Sequence, residues 1–183
     1  MALSGFTKAC ASHTPGINRL ILVESDNITT ATNVAGVVTA LNVTTGTAKE
    51  YIVDRYGLKA TFEASTDDSG LKYCTQKIEA HISKLTSDLR LELKQIADAS
   101  ACGLCAVIVD SNGGQWVYGL NITGSAASTT QTGLGVESIN FDSGMKLDEE
   151  GTDKATLILS GLFSQLPFST SGTISTAGTA LIS

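Results

Sequence analysis

From Leu58 to Ser65 apolar and polar residues alternate. Leu58, Ala60, Phe62 and Ala64 fall on one side; Lys59, Thr61, Glu63 and Ser65 fall on the other. Strand side chains alternate with period two, so this segment reads as a half-buried strand. Thr66-Asp67-Asp68-Ser69-Gly70 is a turn signal. Leu71 to Ile82 then runs back as a second extended segment, with Cys74, Ile78, Ala80 and Ile82 on one face and Gln76 interrupting it. Together the two segments predict a long antiparallel hairpin. The period changes in TSDLRLELKQIADAS. Leu85, Leu89, Leu93, Ile96 and Ala97 form one stripe, which predicts a helix over about 86–100. Thr86 or Ser87 can cap it, Asp88 suits its first turn, and Gly103 is a natural stop.

Shorter apolar runs flank this centre. Arg19 to Glu24, Gly36 to Val43 and Lys49 to Arg55 read as strands, with Ser25 to Thr32 a polar loop and Thr44-Thr45-Gly46-Thr47 a hairpin turn. Leu104 to Asp110 is nearly all apolar, as a strand buried on both faces would be. Ser111-Asn112-Gly113-Gly114 supplies a tight turn, and Gln115 to Ile122 returns as its partner. Val136 to Asp142 and Lys154 to Ser160 form a last strand pair, joined by the acidic loop 143–153. The chain divides into an N-terminal arm (1–18), a β-rich domain (19–168) and a Ser/Thr/Gly-rich tail (169–183). Many short strands around one helix predict a mainly β fold, a sandwich or barrel with a flanking helix.

Composition sharpens this picture. Of 183 residues, 42% are apolar and only 16% charged, against about 25% in ordinary soluble domains. A surface poor in charge suits a protein that covers much of its exterior with partners. The net charge is −6 and no basic cluster occurs, which argues against specific nucleic-acid binding. The first residues, Met1 to Lys8, lack a basic segment followed by an apolar run, so no signal peptide is read and the chain is expected to stay in a cytoplasm. No apolar stretch approaches membrane-spanning length.

Candidate chemistry is sparse. Cys102 and Cys105 have the spacing of a redox pair, but they follow a helix, whereas thiol activation needs a helix N-terminus. Zinc would need further ligands from Cys10, Cys74, His13 or His81, none of which forms a second close pair. Glu79 and His81 share one strand face, as a surface contact or an acid–base pair. Asp67-Asp68 and Asp148-Glu149-Glu150 with Asp153 lack calcium-loop spacing and read as solvated acidic loops. Trp116 is either a core residue or an interface anchor. No nucleophile elbow, phosphate loop or cofactor motif is present, so no catalytic, cofactor or metal residue is assigned.

The order strand, helix, buried strand, turn, strand, with VIVDSNGGQWVYG at 107–119, resembles the tail-tube proteins of long-tailed phages. The resemblance covers roughly residues 58–165. It implies a tail-tube β-sandwich without enzymatic activity, in a virion tail made in a host cytoplasm. Copies would form sixfold rings, stack into a tube related to type VI secretion tubes, contact other tail proteins and pass DNA as non-specific cargo. Other virion parts (a tail terminator, head-completion or capsid-decoration protein) and a small β-rich ligand-binding domain or enzyme are the competing expectations.

Overall fold

The structure, a computed structural model, describes residues 16–52, 57–68, 70–83, 87–111, 113–122, 133–142, 154–172 and 180–182. The described residues are mainly β, 62% strand, with one α-helix and a curled sheet. Its strands are β1 (Ile17–Glu24), β2 (Ile28–Val34), β3 (Val37–Val43), β4 (Lys49–Ile52), β5 (Leu58–Thr66) and β6 (Lys72–Ser83). After helix α1 (Ser87–Ala99) come β7 (Leu104–Asp110), β8 (Gln115–Tyr118), β9 (Gly135–Asp142), β10 (Lys154–Phe163), β11 (Phe168–Thr170) and β12 (Ala180–Ile182).

Two sheets result. The larger has eight strands in the order β12-β3-β11-β8-β7-β1-β4, with β2 also paired to β3. Because β2 and β11 pair with the same β3 residues, Val37 and Val38, they occupy its opposite edges. The smaller sheet runs β5-β6-β10-β9, antiparallel throughout.

The larger sheet is apolar on both faces, and this creates two cores. Leu20 and Leu22 of β1, with Leu104, Ala106 and Ile108 of β7, point towards the smaller sheet and α1; there they meet Ile78, Ala80, Leu157, Leu159, Leu93 and Ile96. Ile21, Val23, Cys105 and Val107 point the other way and meet Ile28, Ala31, Val38, Leu41 and Phe168 inside the curl. Each buried Leu, Ile, Val or Phe among them contributes about 1.5–3 kcal/mol by leaving water. The sheets touch directly where Leu104 and Leu134 exchange backbone hydrogen bonds of 2.8 and 2.7 Å. Gly103 (φ +82°) permits the approach; a Cβ there would meet the Gly133 nitrogen at 2.6 Å.

Among the described residues two polar side chains are buried, Ser25 and Gln76, and Gln76 is matched by its partners. Gln76 is fully buried. Its Oε1 accepts from the Gly119 N–H at 2.8 Å, and its Nε2 donates to the Gln165 carbonyl at 3.0 Å. Gln165 in turn grips Ile122 through both backbone groups, at 2.7 and 2.9 Å. A buried amide so paired avoids the desolvation penalty of an unmatched one.

The hairpin predicted at 58–82 is β5–β6, in continuous register from Leu58↔Ala80 to Thr66↔Lys72. The helix is shorter than expected, ending at Ala99 before a 3₁₀ turn at Ser100–Cys102. Four expectations need correction. The polar loop at 25–32 is a 3₁₀ turn followed by β2; its β-branched threonines face water while Ile28 and Ala31 are buried. The turn at 44–47 exists, with Thr47 N–H donating to Thr44, but it joins strands that do not pair: β3 lies against β2 and β4 against β1. The return strand ends at Tyr118, because the Gly119 N–H leaves the ladder for Gln76. Finally, within the stretch read as a tail, Ser169 and Thr170 of β11 and Ala180 and Ile182 of β12 pair with β3. The arm as far as residue 15, the loop 143–153, His13, Cys10 and the Leu85–Thr86 cap lie outside the described residues.

Candidate self-assembly edges

Among the described residues, β5 pairs only with β6, and β9 beyond the Leu104–Leu134 bridge pairs only with β10. The smaller sheet therefore has two open backbone edges. His81 N–H donates to the Gly57 carbonyl, so odd residues of β5 face β6 in the ladder. The N–H and C=O groups of Ala60, Phe62 and Ala64 consequently point outward along the edge. With four alternating strands, β5 and β9 run in opposite directions. A second copy can therefore continue the sheet, its β9 antiparallel to the first copy's β5.

Each edge carries a half-exposed phenylalanine on the core-facing side: Phe62 on β5 and Phe141 on β9, both 51% exposed. Phe62 borders a mouth between the sheets, formed with Ile17, Ala60, Ile108, Trp116 and Tyr118, and Asp110 at its margin. Trp116 is 41% exposed there, paired across the ladder with Ile108. Phe141 borders a larger groove of about 490 Å³ between β9 and α1, with Leu91, Leu93, Ile139, Arg90 and Lys94. Leu91 is 57% exposed on the helix face turned away from the stripe that Leu93 and Ile96 bury.

The opposite face of the smaller sheet is largely polar, with Ile158 and the 63% exposed Leu162 of β10 as apolar members. Lys59, Thr61 and Glu63 of β5, and Thr75, Lys77, Glu79 and His81 of β6, lie side by side in register. They continue into Thr156 and Ser160 of β10 and Ser138 and Asn140 of β9. The register shift beside Ser138 turns Glu137 to this face, where it accepts from Lys77 Nζ at 3.0 Å. Those hydrogen bonds, from Lys77 and then Ser160, hold its carboxyl below the usual range. Among the described side chains of this face, two lysines stand against three glutamates, so it is near balance.

The chemistry weighed in the sequence resolves as follows. His81 Nε2 lies 3.3 Å from Glu79 Oε1, and its Nδ1 lies 3.1 Å from Thr156 Oγ1. The trio sits on the open polar face, with both His81 and Glu79 more than a third exposed. Cys102 is exposed at the end of the 3₁₀ turn, while Cys105 is buried in β7 and burial pushes its thiol up to about 12. Cys105 is thus a small hydrophobe, not an activated thiol. Asp67 closes the β5–β6 turn by accepting from Leu71 N–H at 2.8 Å. The α1–β9 groove and the Glu137 bulge had no signal in the sequence pattern, because both arise from long-range packing.

No protein family, curated protein or solved structure matches this chain. No helix among the described residues is long and apolar enough to cross a membrane.

Proposed function

We propose that this chain is a structural subunit that joins copies of itself edge to edge, as phage tail-tube proteins do. The smaller sheets become a continuous wall, the rings stack into a tube, and DNA passes through as cargo. The observation that carries the reading is the pair of open, oppositely directed edges on one sheet, each bearing a half-exposed phenylalanine. Such edges invite pairing by another chain. An interface between two different edges closes into a ring or runs on as a filament. The hydroxyl-rich, nearly balanced polar face would form the inner wall, offering phosphate few cations to hold it.

Negative-stain microscopy of the purified chain tests this directly. Rings or tubes with a central hole are expected. Ala64→Pro removes an outward N–H from the β5 edge at an exposed position, so it should leave the fold intact and abolish rings. A protein that stays monomeric at millimolar concentration would sink the proposal. A ligand-dependent rise in melting temperature would then favour the α1–β9 groove as a small-molecule site.

A further inference from the structure

We infer that Phe62 of one copy seats in the α1–β9 groove of the next, so that the helix forms part of the joint between copies. The inference rests on the edge-to-edge reading above and specifies its register. Four rows of side chains face the core of the smaller sheet near the edges: Phe141 with Ala155 and Ile82; Ile139 with Leu157, Ala80 and Leu58; Val136 with Leu159, Ile78 and Ala60; and Gly161 with Gln76 and Phe62. In an unstaggered joint Phe62 would face the Leu134 end of the neighbouring β9. That end is already taken, because Leu104 occupies it with two backbone hydrogen bonds.

A stagger is also what closure requires. Strands in barrels tilt by about 35–45° to the axis. With a spacing of about 4.8 Å between strands and a rise of about 3.3 Å per residue, four strands per copy demand an offset of about four to six residues. The outward N–H groups of Ala60 and Phe62 place β6 to the left of an upward β5 seen from the core side, so the next copy adds on the right. The right-handed coil of barrel strands then carries the neighbour's β9 towards its Phe141 end. Phe62 comes opposite Ile139 or Phe141, beside Leu91, and an even offset preserves the pairing of side chains on the same face. The groove offers apolar walls lined also by Arg90 and by Lys94, whose ammonium pairs with Asp98, and the Phe62 mouth brings Asp110 as a charge opposite to Arg90.

Cross-linking reads this out. In a chain carrying Cys10→Ser and Cys102→Ser, Phe62→Cys is combined with Phe141→Cys or with Leu91→Cys, and a short bis-maleimide is added to the assembled protein. A ladder of covalent multimers is expected from each pair and none from any single change. Phe62→Arg, brought against Arg90 and Lys94, should raise the concentration needed for assembly by about tenfold or more, and Phe62→Asp by less. Rings that form without cross-links, whatever else fills the groove, would overturn this register and leave edge-to-edge assembly standing. A failure of the unaltered chain to assemble would overturn both.

Discussion

Strands β1 and β7 bury side chains on both faces, whereas β5 and β9 cover one face in part and, among the described residues, leave a backbone edge open. The four strands are of similar length, between 7 and 9 residues. The difference lies in what stands across from them. The curl of the larger sheet gives β1 and β7 a second apolar layer, so their cost of ordering is met inside one chain. The smaller sheet has only one such layer, and Phe62 and Phe141 reach past its end. One region of the molecule is thus complete by itself, and the other has unused pairing capacity.

The contrast can be broken most decisively by truncating one residue in each region. Ile21 is fully buried, so Ile21→Ala should cost about 2–5 kcal/mol in denaturant unfolding. Phe62→Ala, at a half-exposed site, should stay within about 1 kcal/mol for the monomer. Equal losses would show that the β5 edge is as much a part of the fold as β1. Gln76→Leu probes the seam between the regions. It strands the Gly119 N–H and the Gln165 carbonyl, and should lower stability by about 1–3 kcal/mol; an unchanged or higher melting temperature would mean that the amide serves no structural purpose. The smallest effect belongs to Glu137. Its lowered carboxyl supports the fold above the ordinary glutamate range and loses that support as pH falls through the lowered value. In an NMR titration its midpoint should sit below that of a free glutamate and move up in Lys77→Met. A midpoint indifferent to Lys77 would make the contact decorative.

How far the sequence revealed these regions follows the same divide. Period-two alternation located β5 and β6 with their turn, the apolar run at 104–110 announced β7, and the leucine stripe marked α1. Those signals are local, arising from residues a few positions apart. Strand β2 was hidden because ITTATNV shows water mostly threonine, and only its long-range pairing with β3 makes a strand of it. Phe62 was legible as an inward-facing residue, yet nothing in the alternation tells that the opposing sheet stops short of it. The sequence leaves Trp116 between two roles, and its ring lines the mouth between the sheets while remaining partly in water. Edges and grooves depend on which segments arrive alongside, and that information is spread over the whole chain.

The place of β11 has a consequence for how such a molecule comes into being. Phe168–Thr170 lies between β3 and β8, parallel to the one and antiparallel to the other. Strands β3 and β8, more than 70 positions apart, must therefore wait for a segment made about 50 positions after β8. A nascent polypeptide stopped short of Phe168 would hold β3 and β8 with no shared neighbour and an uncovered apolar interior. Ordering of the curl is then a late step in synthesis. The β5–β6 hairpin, built from local contacts, can already be standing during that interval.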